Sequence, residues 1–86
     1  MQGGSQTSDE EMQMFARYRQ DSRWLMDNYG RIKREYANRY IAVKDGEIIE
    51  SGDTSSQLFA SLRRRREDLR TVLIEFIPPE DRILVL

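Results

Sequence analysis

The residues of this chain best placed to do chemistry are its arginines. Arg63, Arg64, Arg65 and Arg66 follow one another, Arg70 comes next, and over residues 57–70 five arginines against Glu67 and Asp68 leave a local charge of +3. A guanidinium offers paired N–H donors, so such a cluster can hold a phosphate or a nucleic-acid backbone. The competing account is structural. Cations near a helix C-terminus offset its dipole, and Arg63 with Glu67, like Arg64 with Asp68, is spaced for an i, i+4 pair. Four consecutive arginines also fan around a helix, which sets Arg65 or Arg66 near its apolar side. With no interleaved aromatics and a formal net charge of -1, the structural account is preferred.

Other chemistries lack their residues. The chain has no Cys and no His, which removes thiol nucleophiles, imidazole bases, disulfides and ordinary zinc or haem ligation. Acid–base work would fall to carboxylates, yet Glu47 and Glu50 lie on opposite faces of one expected strand, Asp45 sits in a tight turn, and Asp53 at a helix cap. None forms a two-carboxylate or metal-loop pattern, and the glycines are isolated turn positions without a phosphate loop. No enzyme activity, cofactor or metal is expected.

The elements that position these residues must share a small core. Eighty-six residues and 10.2 kDa make one domain at most, and a chain this short buries only about 60 to 65% of its unfolded surface. Apolar residues make up 38%, charged residues 34%, and mean hydropathy is -0.74; no stretch approaches the roughly 18 apolar residues of a membrane span. Residues 1–7 read as a frayed tail without signal-peptide character, so a cytoplasmic location is expected by default. The domain then spans residues 8–86, opening at the capping box Ser8-Asp9-Glu10-Glu11.

Phe15, Tyr18, Leu25, Tyr29, Ile32 and Tyr36 recur at spacings of three, four or seven, which predicts one long helix to about Tyr36, with a break at Gly30 as the alternative. Arg23, Asp27, Arg31, Glu35 and Arg39 form a charged ladder on its other side. Asn38 suits a left-handed helix end, and Asp45-Gly46 predicts a type I′ hairpin joining strands 40–44 and 47–52. Its plain register sets Val43 opposite Ile48, Ala42 opposite Ile49 and Ile41 opposite Glu50. Thr54-Ser55-Ser56-Gln57 caps a second helix with an inward stripe of Leu58, Phe59, Leu62 and Leu69. Residues 71–77 form a strand central in its sheet or covered on both sides, ended by Pro78-Pro79, and Ile83-Leu84-Val85-Leu86 suggests a fourth. The order αββαββ predicts an α+β two-layer sandwich with both helices on one face of the sheet.

Within this frame Trp24 is out of place. Counting about 100° per residue, it falls opposite the Phe15 to Tyr36 stripe, beside Arg17 and Arg31. It therefore needs cover, from a partner or from within the chain, where a helix break or cation–π stacking on Arg17 or Arg31 would serve. Met12 and Met26 flank the stripe, where they can widen the core face or line a groove for a partner helix. Trp24, Arg17, Arg31, Met12 and Met26 are thus the candidate partner-binding residues.

The strand Tyr40-Ile41-Ala42-Val43-Lys44, the turn Asp45-Gly46, the strand closing in Gly52-Asp53, and Val72-Leu73-Ile74-Glu75-Phe76-Ile77 ending in Pro78-Pro79 resemble a family of small prokaryotic domains of unknown function, over about residues 36–81. The resemblance implies a fold and a prokaryotic source but no chemistry, and the arginine run departs from it. The expected function is a non-catalytic protein–protein interaction module, homodimeric or a small subunit of a larger complex. The alternative is a nucleic-acid or phosphate-binding, antitoxin-like regulator using Arg63, Arg64, Arg65, Arg66 and Arg70.

Overall fold

The computed structural model describes residues 3–79; the expected fourth strand at residues 83–86 lies outside them. The chain runs α1 (Gly3–Asp27), α2 (Tyr29–Glu35), β1 (Arg39–Lys44), β2 (Glu47–Gly52), α3 (Ser55–Arg64), a single 3-10 turn (Leu69–Thr71) and β3 (Leu73–Ile77). The mixed α+β class holds, with differences in where elements begin and what they face.

Helix α1 begins at Gly3, so residues 3–7 are helical and Ser8 lies inside the helix instead of capping it. The helix expected to run unbroken to about Tyr36 is instead interrupted at Asn28, two residues before Gly30, the alternative position for a break. There the Asn28 side-chain amide donates to the Trp24 carbonyl at 2.8 Å, and the Asn28 backbone N–H is shared between Trp24 and Leu25. A side chain competing for the ladder is a sufficient cause for the interruption. Asn38 does take the left-handed conformation, at φ 63°.

The sheet order is β2-β1-β3, antiparallel throughout, so β1 is central and β3 an edge strand of the described sheet; of the two expectations for its apolar run, cover on both sides holds, with Leu73 and Ile77 packed on one side and Val72 and Ile74 on the other. Asp45 and Gly46 both have positive φ, 53° and 75°, as the I′ turn demands. The hairpin keeps the expected register only through Val43 and Ile48. A bulge then shifts it, placing Ala42 opposite Glu50 and Ile41 opposite Ser51.

Two apolar clusters lie on opposite sides of the sheet. Leu25 of α1 and Ile32 of α2 bury against Ile41, Val43 and Ile77, whereas Leu58 and Leu62 of α3 bury against Ala42. The helices therefore cover both faces, which corrects the two-layer expectation to helix, sheet, helix. Alternation along β1 makes this possible, since Ile41 and Val43 point one way and Ala42 the other.

Helix α3 starts on the expected cap: Thr54 Oγ1 accepts from the Gln57 N–H at 3.1 Å, and Gln57 Oε1 accepts from the Asp53 N–H at 3.0 Å. Gly52 fits closely beneath its first turn, where a Cβ would lie 3.1 Å from the Leu58 nitrogen and force it to give by a few tenths of an ångström. The helix ends inside the arginine run. The Glu67 N–H reaches the Leu62 carbonyl and the Arg66 N–H the Arg63 carbonyl, with Arg66 at φ 61°, which is the Schellman arrangement. Leu69, expected in the inward stripe, is consequently exposed.

The orientation of α1 rests on Asp21, the only buried charged residue among those described, at 2% exposure. Its carboxylate accepts from both N–H groups of the hairpin turn, Gly46 at 3.0 Å and Asp45 at 3.3 Å. Arg17 adds an ion pair to Asp45 at 3.5 Å.

Asp21→Ala is expected to lower unfolding free energy by about 2 kcal/mol, and Asp21→Asn by nearly as much, since an amide turns an N–H toward one of the two donors. Urea denaturation checks both; full stability in the Asn variant would contradict the assignment. Arg66→Gly, at a left-handed position, and Gly30→Ala, where nothing lies within 4 Å of the added Cβ, should each raise stability by about 0.5 to 1 kcal/mol.

Candidate functional site

The structure divides the candidate residues into those that serve the fold and those left facing outward. Trp24 belongs to the first group. It is half-buried against the Leu25, Ile32 and Ile41 cluster, and its Cδ1 lies 3.7 Å from where a Gly46 Cβ would stand. The hairpin turn thus supplies the cover that the indole required. Arg17 is spent on Asp45, and Arg31 on Glu35 at 3.4 Å. No cation–π contact joins either to Trp24 among the described residues, where the one such contact sets Lys33 over the Tyr29 ring at 5.8 Å.

Of the expected stripe, Leu25, Tyr29, Ile32 and Tyr36 do lie in or against the core, and only Phe15 and Tyr18 are left exposed. The inward side carries Asp21, Trp24 and Leu25, while Met12, Phe15, Tyr18 and Met26 are 66%, 67%, 56% and 73% exposed. Every residue of α1 from 9 to 16 is exposed. Beside it a shallow, largely apolar recess is lined by Glu11, Met14, Phe15, Tyr18 and Arg70. A second, smaller recess between α1 and β3, at about 30 Å³ and lined in part by Met14, Tyr18, Asp21 and Leu73, has room for little more than a water molecule.

Phe15 and Tyr18 escaped the sequence reading because they were assigned to the core. One signal could have found Phe15. The spacing Met12, Phe15, Arg19, Ser22, Met26 alternates three and four, and a buried stripe would not keep Arg19 at its centre.

The arginines are also split. Arg65 folds back onto the sheet, donating to the Ile49 carbonyl at 2.9 Å and pairing with Glu50 at 3.3 Å and Glu67 at 3.8 Å. Glu67 in turn meets Lys44 at 2.9 Å. Arg70 closes on Asp68, whose carboxyl is held below its ordinary range chiefly by the Arg70 side-chain hydrogen bond. Arg64 reaches only Ser61 Oγ, at 3.2 Å, and no carboxylate among the described residues pairs with Arg63, Arg64 or Arg66. The expected pairs of Arg63 with Glu67 and Arg64 with Asp68 do not form, since α3 stops before either acid.

No cluster of three acidic residues suited to a metal ion occurs among the described residues, and no described helix is long and apolar enough to cross a membrane. No curated protein and no solved structure matches the chain. A family profile does match, beginning in α2 and running past β3 so that α1 falls outside it: over residues 31–80 the chain belongs to the family of unknown function DUF5678.

Proposed function

We propose that this chain is a non-catalytic protein–protein interaction module, a homodimer or a small accessory subunit of a larger prokaryotic, cytoplasmic complex, which meets its partner through the outward face of α1. The observation that carries this reading is the exposed row Met12, Phe15, Tyr18 and Met26. Burying one such side chain is worth about 1.5 to 3 kcal/mol. A helical segment exposed at every position from 9 to 16 is also marginal by itself, because most helical stability comes from packing of an apolar face.

The carboxylates support a non-catalytic role, since those nearest the fold's charged contacts are engaged in holding it: Asp21 on the turn amides, Glu50 and Glu67 on Arg65, Asp53 on Arg39 at 2.8 Å. The arginine cluster is the second reading, a nucleic-acid or phosphate site. Among the described residues of the cluster, Arg63, Arg64 and Arg66 are those without a carboxylate partner, and they lie at a helix C-terminus whose dipole repels anions.

Replacing Phe15 or Met26 by a photoreactive amino acid in the full chain tests the surface. Irradiation is expected to give a defined protein adduct at both positions and none at Gln57, which is exposed on α3. Absence of an adduct at both stripe positions, or a salt-sensitive nucleic-acid complex lost in the Arg63→Ala, Arg64→Ala, Arg66→Ala triple variant, would overturn the proposal.

A further inference from the structure

Resting on that reading, we infer that the occupant of the α1 face is a second copy of the same chain, paired antiparallel along α1. The seam is set by the alternating spacing of Met12, Phe15, Arg19, Ser22 and Met26, the pattern of a helix that packs on another helix. Counting about 100° per residue, this seam lies roughly 150° around the helix from the side that carries Asp21 and Trp24. Two domains can therefore join through it with their sheets held apart.

Charge selects the direction. In a parallel pair Arg19 would face Arg19 of the other copy in the middle of the seam, a like-charge contact with no acid beside it. In the antiparallel pair centred near Arg17, Arg19 of each copy lies over Phe15 of the other, where a guanidinium on an aromatic face is favourable. Met12 then meets Ser22. The same arrangement places Asp9 of one copy beside Arg23 of the other, twice by symmetry, on the flank where Ala16 of each copy allows close approach. Asp9, Arg19 and Arg23 are exposed and have no salt-bridge partner within the described chain. Complementary charges along an apolar seam, all unused intramolecularly, are what self-pairing requires.

Sedimentation equilibrium on the full chain is expected to show a concentration-dependent dimer. Phe15→Ala should weaken it at least about fivefold, with the urea midpoint of the isolated chain unchanged. Arg23→Glu and Asp9→Arg should each weaken self-association several-fold at low salt, whereas mixing the two variants should restore a dimer between them, because each pairing is then Asp with Arg or Arg with Glu. A monomer at all concentrations overturns the inference, and so does a dimer indifferent to Phe15→Ala or a mixture that fails to restore pairing. A monomeric chain that still gives a stripe-specific adduct with a different protein sinks the second copy alone and leaves the proposed function standing.

Discussion

The contact on which the structure turns is the carboxylate of Asp21 against the two amides of the hairpin turn. A type I′ turn points its N–H groups outward at the end of a ribbon, and here the chain brings a buried anion to them from 24 and 25 residues away in sequence. Burying a charge is costly unless it is hydrogen-bonded, so once Asp21 is enclosed its partners are fixed. That choice sets the rotation of α1 about its own axis. Trp24 then falls over Gly46 and Leu25 into the core, while Phe15 and Tyr18, earlier in the same helix, stay outside.

In the first half of α1 a polar residue has therefore taken a buried place that hydrophobic periodicity alone would not assign to it. The usual inference from an apolar stripe to a buried face assumes that the rest of the domain offers only apolar surface. In this fold the turn offers donors, and the helix answers with an acceptor. The more hydrophobic side becomes available for contact, on an element outside the residues shared with the family. The arginine run follows a comparable logic: Arg66 terminates a helix, Arg65 ties that end to β2, and the remaining side chains face water.

Much of the architecture was legible because it is local. The Asp45-Gly46 turn, the Asn38 helix end, the Thr54 cap and the Pro78 stop each depend on a few neighbouring residues, and each occurs where its residues demand. What the sequence did not disclose depends on distant partners. Which face of α1 is buried was set by amides in the hairpin, the placement of α3 on the far side of the sheet by the alternation of β1, and the edge position of β3 by pairing with β1 rather than β2. The outward residues Phe15 and Tyr18 were hidden for the same reason, whereas Met12 and Met26, at the margin of the stripe, were legible as candidates.

The bulge in the hairpin has a consequence for charge as well as register. A strand alternates its side chains with period two, so one extra residue in β2 is a half-period change of phase for everything that follows it. In the unbulged phase Glu50 stands opposite Ile41 and enters the larger core as an anion. In the shifted phase it stands opposite Ala42, on the side of α3, where Arg65 meets it at 3.3 Å. The irregularity sorts a carboxylate from one layer of the protein to the other, and by doing so joins the end of α3 to the sheet.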